Sequence, residues 1–156
     1  MFTAAIEGGR DFSSENFFWS TAAKITVQQP LTNRLRFCSD TAFSYEKNTL
    51  LIQHSSQSAA AVSILPSEFL TPSIAGGNAG LEFALKKFNW GLLSVYSSWQ
   101  AVFAETQDDS MKFCHGTAGG VRVYLSKIAF PAFAFGMSTN FTTRDSFWSA
   151  SLGISY

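Results

Sequence analysis

The chain has 156 residues, of which 14% are charged and 15% aromatic, and its eleven basic and eleven acidic side chains cancel. A soluble surface ordinarily rests on about 25% charged residues, and a nucleic-acid partner needs a clustered basic face, so composition argues against both. No run of about 18 apolar residues is present to form a transmembrane helix.

Residues 2–8 alternate Phe2, Ala4 and Ile6 against Thr3, Ala5 and Glu7, a short strand pattern. After a loop over 9–16, residues 17–28 set Trp19, Ala23, Ile25 and Val27 against Ser20, Ala22, Lys24 and Gln28. Pro30 to Asn33 closes a connection, because Pro fits poorly in a central strand. The next strand puts Leu35, Phe37, Phe43 and Tyr45 on one face and Arg36, Cys38, Asp40 and Ala42 on the other. Residues 50–65 are the hardest to read: polar, then Ala-rich, a weak strand or a short helix. Residues 66–78, with Pro72, Gly76 and Gly77, read as the longest loop.

Leu81, Phe83 and Leu85 then alternate with Glu82, Ala84 and Lys86, and Asn89-Trp90-Gly91 makes a tight return. Leu93, Val95, Trp99 and Phe103 oppose Tyr96, Ser98, Gln100 and Ala104, and the most acidic loop follows at 105–110. Val121, Val123 and Leu125 oppose Gly120, Arg122 and Tyr124. The last two strands set Phe133, Phe135 and Met137, then Trp148, Ala150, Leu152, Ile154 and Tyr156, against Ala, Gly and Ser.

A soluble sheet buries its bulky face and exposes long polar groups on the other. Here the second face is small and nearly uncharged, which suits a tightly curved interior with lipid outside. The nine strand candidates become eight if either 2–8 or 50–65 fails to complete a crossing, because single-chain bacterial barrels close with an even number; ten remain open if a short strand is hidden. The predicted fold is all-β: a single-domain, closed, antiparallel up-and-down transmembrane β-barrel of eight strands, integral to an outer membrane, with membrane lipid as its surroundings. The N-terminus lacks the pattern of a signal peptide, so that location requires numbering from after an export signal, within a longer precursor, or at an added Met1. Trp19, Trp90, Trp99, Trp148, Tyr45 and Tyr156 include candidates for an aromatic belt at strand ends.

Lys24, Arg36, Asp40, Glu82, Lys86 and Arg122 all fall opposite the bulky residues. Buried charges must be paired, so a lumen predicts a network in which Asp40 and Glu82 neutralise some of the basic groups. The same residues would simply meet water on a half-exposed soluble sheet. An eight-stranded barrel is filled by side chains or holds one small ligand, which excludes a general diffusion pore. A soluble lipocalin-like barrel, with the Phe faces lining a cavity, is the alternative architecture.

His115 shares a strand face with Thr117, and Asp108 and Asp109 are loop carboxylates, so an outer-membrane hydrolase is the enzymatic alternative. Gly116, Gly119 and Gly120 read more simply as relief of bulk where strands bend, and no enzyme activity is expected. Isolated His54 reads as a surface or interface residue. No tight Cys/His spacing supports a metal site, and no cofactor motif is present. Cys38 and Cys114 are too few for a disulfide scaffold and read as free thiols unless geometry pairs them.

The runs Gly119-Gly120-Val121-Arg122-Val123-Tyr124-Leu125, Phe130-Pro131-Ala132-Phe133-Ala134-Phe135-Gly136, and Phe147 through Leu152-Gly153-Ile154-Ser155-Tyr156 resemble the closing strands of the Omp85 or surface-antigen superfamily of outer-membrane barrels. The resemblance implies a role in membrane assembly or protein insertion and a protein partner or second barrel subunit, and it leaves the chain as the C-terminal portion of a larger barrel, a small independent barrel, or a subunit that completes another protein's barrel. It also implies a C-terminal signal at Leu152, Ile154 and Tyr156 read by barrel-insertion machinery, with Ser151 standing where Gly is frequent.

Overall fold

Alternation of bulky and small residues builds the long strands, and the turns between them follow local chemistry. The computed structural model describes residues 2–10, 17–47, 55–66, 69–106, 110–125 and 131–152. In chain order the strands are β1 (Phe2–Arg10), β2 (Phe17–Pro30), β3 (Leu35–Lys47), β4 (Ser55–Ser56), β5 (Leu70–Thr71), β6 (Ser73–Phe88), β7 (Gly91–Glu105), β8 (Met111–Leu125), β9 (Pro131–Asn140) and β10 (Ser146–Leu152). Eight of them form one antiparallel sheet in the order β1-β2-β3-β6-β7-β8-β9-β10, and β4 pairs with β5 in a two-stranded sheet of their own.

The first strand, β1, is therefore a full member of the sheet, and the segment 50–65 is the one that does not cross. Within it β4 is followed by a single 3-10 turn, Gln57–Ala60, while residues 50–54 lie outside the described residues. The loop expected over 66–78 is shorter than its composition suggests, because β6 starts at Ser73. Gly76 and Gly77 are strand residues at close backbone approaches: a Cβ on Gly76 would lie 2.7 Å from the Ala101 carbonyl oxygen, and one on Gly77 would lie 2.5 Å from that of Asp40.

The expected closure is not observed. Among the described residues β1 pairs only with β2, and β10 only with β9. Both edge strands are short: β1 has nine residues and β10 seven, against 16 in β6 and 15 in β7. Among the described residues the sheet is therefore an open trough with β1 and β10 at its edges.

Its curvature is evident from side chains that reach across it. Arg36 on β3 donates to the Tyr124 hydroxyl on β8, although β6 and β7 lie between those strands. Short turns join strands at one end of the trough. Between β2 and β3 the Thr32 hydroxyl accepts from the amides of Arg34 and Leu35 at 3.2 and 3.0 Å, and Asn89-Trp90 joins β6 to β7. The opposite end holds the β3–β6 excursion and the β9–β10 turn, where Asn140 Oδ1 accepts from the amides of Thr142 and Thr143.

The apolar core sits inside the trough at that second end. Residues following the 3-10 turn fold inward as a plug, and Ala60, Val62, Ile64 and Leu65 pack on Ile74, Val102 and Ala104. Four strand side chains hold the plug backbone. Asn78 Nδ2 donates to the Ala61 carbonyl at 2.7 Å, Gln100 Oε1 accepts from the Ser63 amide at 2.7 Å, Ser138 donates to the Ser63 carbonyl, and Asn140 Nδ2 donates to the Ile64 carbonyl at 3.1 Å. Ala61 has φ 57°, a left-handed conformation unusual for a residue with a Cβ, and its carbonyl is one of those captured. Buried backbone groups need such partners, and the inward Asn, Gln and Ser residues supply them.

Candidate functional site

Register places the charges. Arg36 on β3 is directly opposite Glu82 on β6, Glu82 is opposite Tyr96 on β7, and Ser94 is opposite Arg122 on β8. All of these side chains point into the trough, so a carboxylate on β6 meets a guanidinium from each side. Arg36 Nη2 and Nε donate to Glu82 Oε2 at 2.9 and 3.3 Å, and Arg122 Nη1 donates to the same oxygen at 2.8 Å. Ser94 donates to the other oxygen, Oε1. Glu82 is only 3% exposed, and this saturation of both oxygens is what a buried carboxylate needs.

The aromatic rings complete the cluster. The Arg122 guanidinium carbon lies 4.0 Å from the Tyr96 ring centroid and that of Arg36 lies 5.2 Å from the Tyr124 ring, both within cation–π range. Glycines make room for Tyr96: Gly120 is its partner on β8, and a Cβ on Gly136 would collide with its hydroxyl. Arg36 Nη1 also reaches Gln28 Oε1 at 3.4 Å.

Between this cluster and the plug lies a cavity of about 410 Å³. Its walls include Asp40, Ser98, Gln100 and Arg122, with Ala61, Val62 and Ser63 of the plug on one side and Ser149 and Ser151 of the edge strand on another. A second hollow of about 260 Å³ lies on the far side of Arg36, Glu82 and Tyr124, toward the turn at 31–34. The cluster is thus a constriction between two spaces.

Three of the six candidate network residues, Arg36, Glu82 and Arg122, come together. Asp40 stands apart, accepting from Thr26 Oγ1 at 2.6 Å and from Asn78 Nδ2 at 3.5 Å. Lys24 is on the inner face of β2 but exposed. Lys86 is not on the inner face: the register slips between Ala84 and Lys86, so that Lys86 pairs with outward Leu93, and its Nζ lies 5.3 Å from the Phe88 ring. Leu152 ends β10 and is 75% exposed, while Ile154 and Tyr156 lie outside the described residues. Sequence reasoning missed Ser94, Tyr96 and Tyr124 as members of the cluster and Asn78, Gln100, Ser138 and Asn140 as holders of the plug. Their signal was present, as polar side chains sharing the face of Arg36 and Glu82.

His115 faces outward. Its ring stacks near Trp99 and Phe113, with centroids at 5.3 and 5.8 Å, and meets Phe141 edge-on. Its buried Nδ1 has no hydrogen-bond partner among the described residues. Asp108, Asp109 and His54 lie outside the described residues. Cys38 and Cys114 are free thiols, and the described residues contain no group of His, Cys, Asp and Glu able to hold a metal.

The outer face is built from the alternate residues. Phe43, Phe83, Trp99, Phe103, Phe135 and Trp148 are all between 40% and 68% exposed. Trp19 meets Tyr45 at 5.2 Å near one end of the sheet, and Phe88 stacks on Trp90 at 5.0 Å near the other. No family model, curated protein or solved structure matches the chain.

Proposed function

We propose that this chain is an integral outer-membrane β-barrel protein with a structural, assembly or membrane-protein-insertion role, and that it is not a general diffusion pore. The observation that carries this reading is the outer face, where large apolar side chains stand exposed on successive strands. Full exposure of such a side chain to water costs about 1.5–3 kcal/mol relative to burial, of which these half-exposed residues incur a part each, whereas lipid removes the penalty. Aromatic pairs near both ends of the sheet fit an interfacial belt. The plug and the Arg36–Glu82–Arg122 constriction each obstruct the trough, which argues against free diffusion through it.

In lipid the edges of β1 and β10 that no described strand pairs need hydrogen-bond partners, from each other or from a second barrel subunit. The assembly role rests on the likeness of the closing strands to the surface-antigen superfamily. The lipocalin-like reading is not favoured, because the Phe side chains face away from a cavity whose walls are polar.

Refolding from denaturant with and without detergent or liposomes, followed by gel electrophoresis of boiled and unboiled samples, tests the reading. A compact, faster-migrating unboiled species that forms only with detergent or lipid is expected. Cooperative folding in buffer alone would contradict it.

A further inference from the structure

We propose that the inner cavity is a binding site for a small hydrophilic anion, a carboxylate carried on a hydroxylated body, with Arg122 as its anchor. The cavity of about 410 Å³ falls in the range of roughly 300–1,000 Å³ usual for small-molecule sites. Two guanidiniums share a single carboxylate, which leaves one positive charge uncompensated within the cluster.

The two arginines are not equally occupied. Arg36 commits Nε and Nη2 to Glu82, Nη2 also to Tyr124, and Nη1 to Gln28. Arg122 uses Nη1 on Glu82, its single hydrogen bond among the described residues, and stacks on Tyr96. A guanidinium carries five N–H donors in a planar fork that matches a carboxylate or phosphate. Arg122 is therefore held by carboxylate and ring, keeps donors in reserve, and lines the cavity.

The other walls select the body of the ligand. Ser98, Ser149 and Ser151 present hydroxyls to it, groups that an apolar ligand would desolvate without compensation and that a polyol would satisfy. Asp40 sets the polarity. It lies four residues along β3 from Arg36 on the same face, about 13 Å by strand rise, and its carboxylate repels a second anionic group. The occupant is thus a monoanion with its charge at Arg122 and a neutral hydroxylated remainder. The inference stands on the inner face and does not depend on what surrounds the outer one.

Calorimetric titration of the full chain, in whichever medium folds it, with gluconate and with sorbitol tests the proposal. Gluconate should bind saturably. Sorbitol, a polyol of similar length without the charge, should not. Arg122→Gln should weaken gluconate binding by roughly tenfold or more, the loss of a charge-assisted hydrogen bond. Ser149→Leu, which intrudes on the cavity from the edge strand and keeps Arg36, Glu82 and Arg122, should also weaken it and decides the matter if Arg122→Gln does not fold. Absence of gluconate binding at millimolar concentration, equal binding of sorbitol, or wild-type affinity in either folded variant would overturn the proposal.

Discussion

On the inner face of β7, Ser94 donates to Glu82, Tyr96 lies beneath Arg122, and Gln100 holds the amide of Ser63. On the outer face of the same strand, Trp99 meets Phe141 at 5.6 Å and Phe103 meets Phe113 at 4.8 Å, and the His115 ring joins Trp99, Phe113 and Phe141 by ring contact. Inner positions are specified one by one, each by a partner with a defined atom. Outer positions are specified collectively, by bulk and lack of charge. One sheet therefore carries two kinds of constraint, and substitutions should separate them.

The largest effect is expected at Glu82. Glu82→Ala leaves Arg36 and Arg122 facing each other without their shared carboxylate. Breaking a buried pair costs about 3–5 kcal/mol, reduced toward the lower figure by water reaching the partly exposed guanidiniums. Urea unfolding of the refolded protein should show the loss, and Glu82→Gln should show less of it. If Glu82→Ala matches wild type, the cluster contributes nothing and the inner face is not individually specified.

Leu81, one residue away, points outward near the middle of β6 and is 47% exposed. Leu81→Arg should cost about 2–4 kcal/mol in liposomes, as for Arg at the bilayer midplane of a barrel. In contrast, Leu81→Phe should stay within about 0.5 kcal/mol. A harmless Leu81→Arg would mean that this face meets water. The smallest of the main effects is expected at the plug: Gln100→Ala strands the Ser63 amide, which costs about 1–3 kcal/mol. It should also raise hydrogen exchange at residues 61–64 while leaving the charge cluster intact. Unchanged exchange there would show that the plug is held by its apolar contacts alone.

Much of this two-sidedness is legible in the sequence. The alternation of Leu81, Phe83 and Leu85 with Glu82 and Ala84 identified the later half of β6 and its two faces up to the bulge, because side-chain direction in a strand has period two. The shared face of Arg36, Arg122 and Glu82 is legible too, but which bases Glu82 meets is not, because that depends on the register of β3, β6, β7 and β8. Lys86 defeats the same logic, since one bulge residue reverses every following side chain, and nothing in the local pattern announces it. The plug was illegible for a different reason: Ala60, Val62 and Ile64 form their contacts with residues distant in the chain, so neither strand nor helix periodicity applies. Gly76 and Gly77 were misleading because glycine marks close strand approach as readily as a loop. Closure lies beyond pattern reading altogether, since it depends on the lengths and edges of β1 and β10.

The most direct test of the central claim, that the bulky face meets lipid, is fluorescence of a variant retaining Trp99 alone, with Trp19, Trp90 and Trp148 changed to Phe. Refolded into liposomes, it should be quenched by lipids brominated on their acyl chains and protected from aqueous acrylamide. Strong acrylamide quenching with no response to brominated lipid, in protein that has folded, would contradict the account.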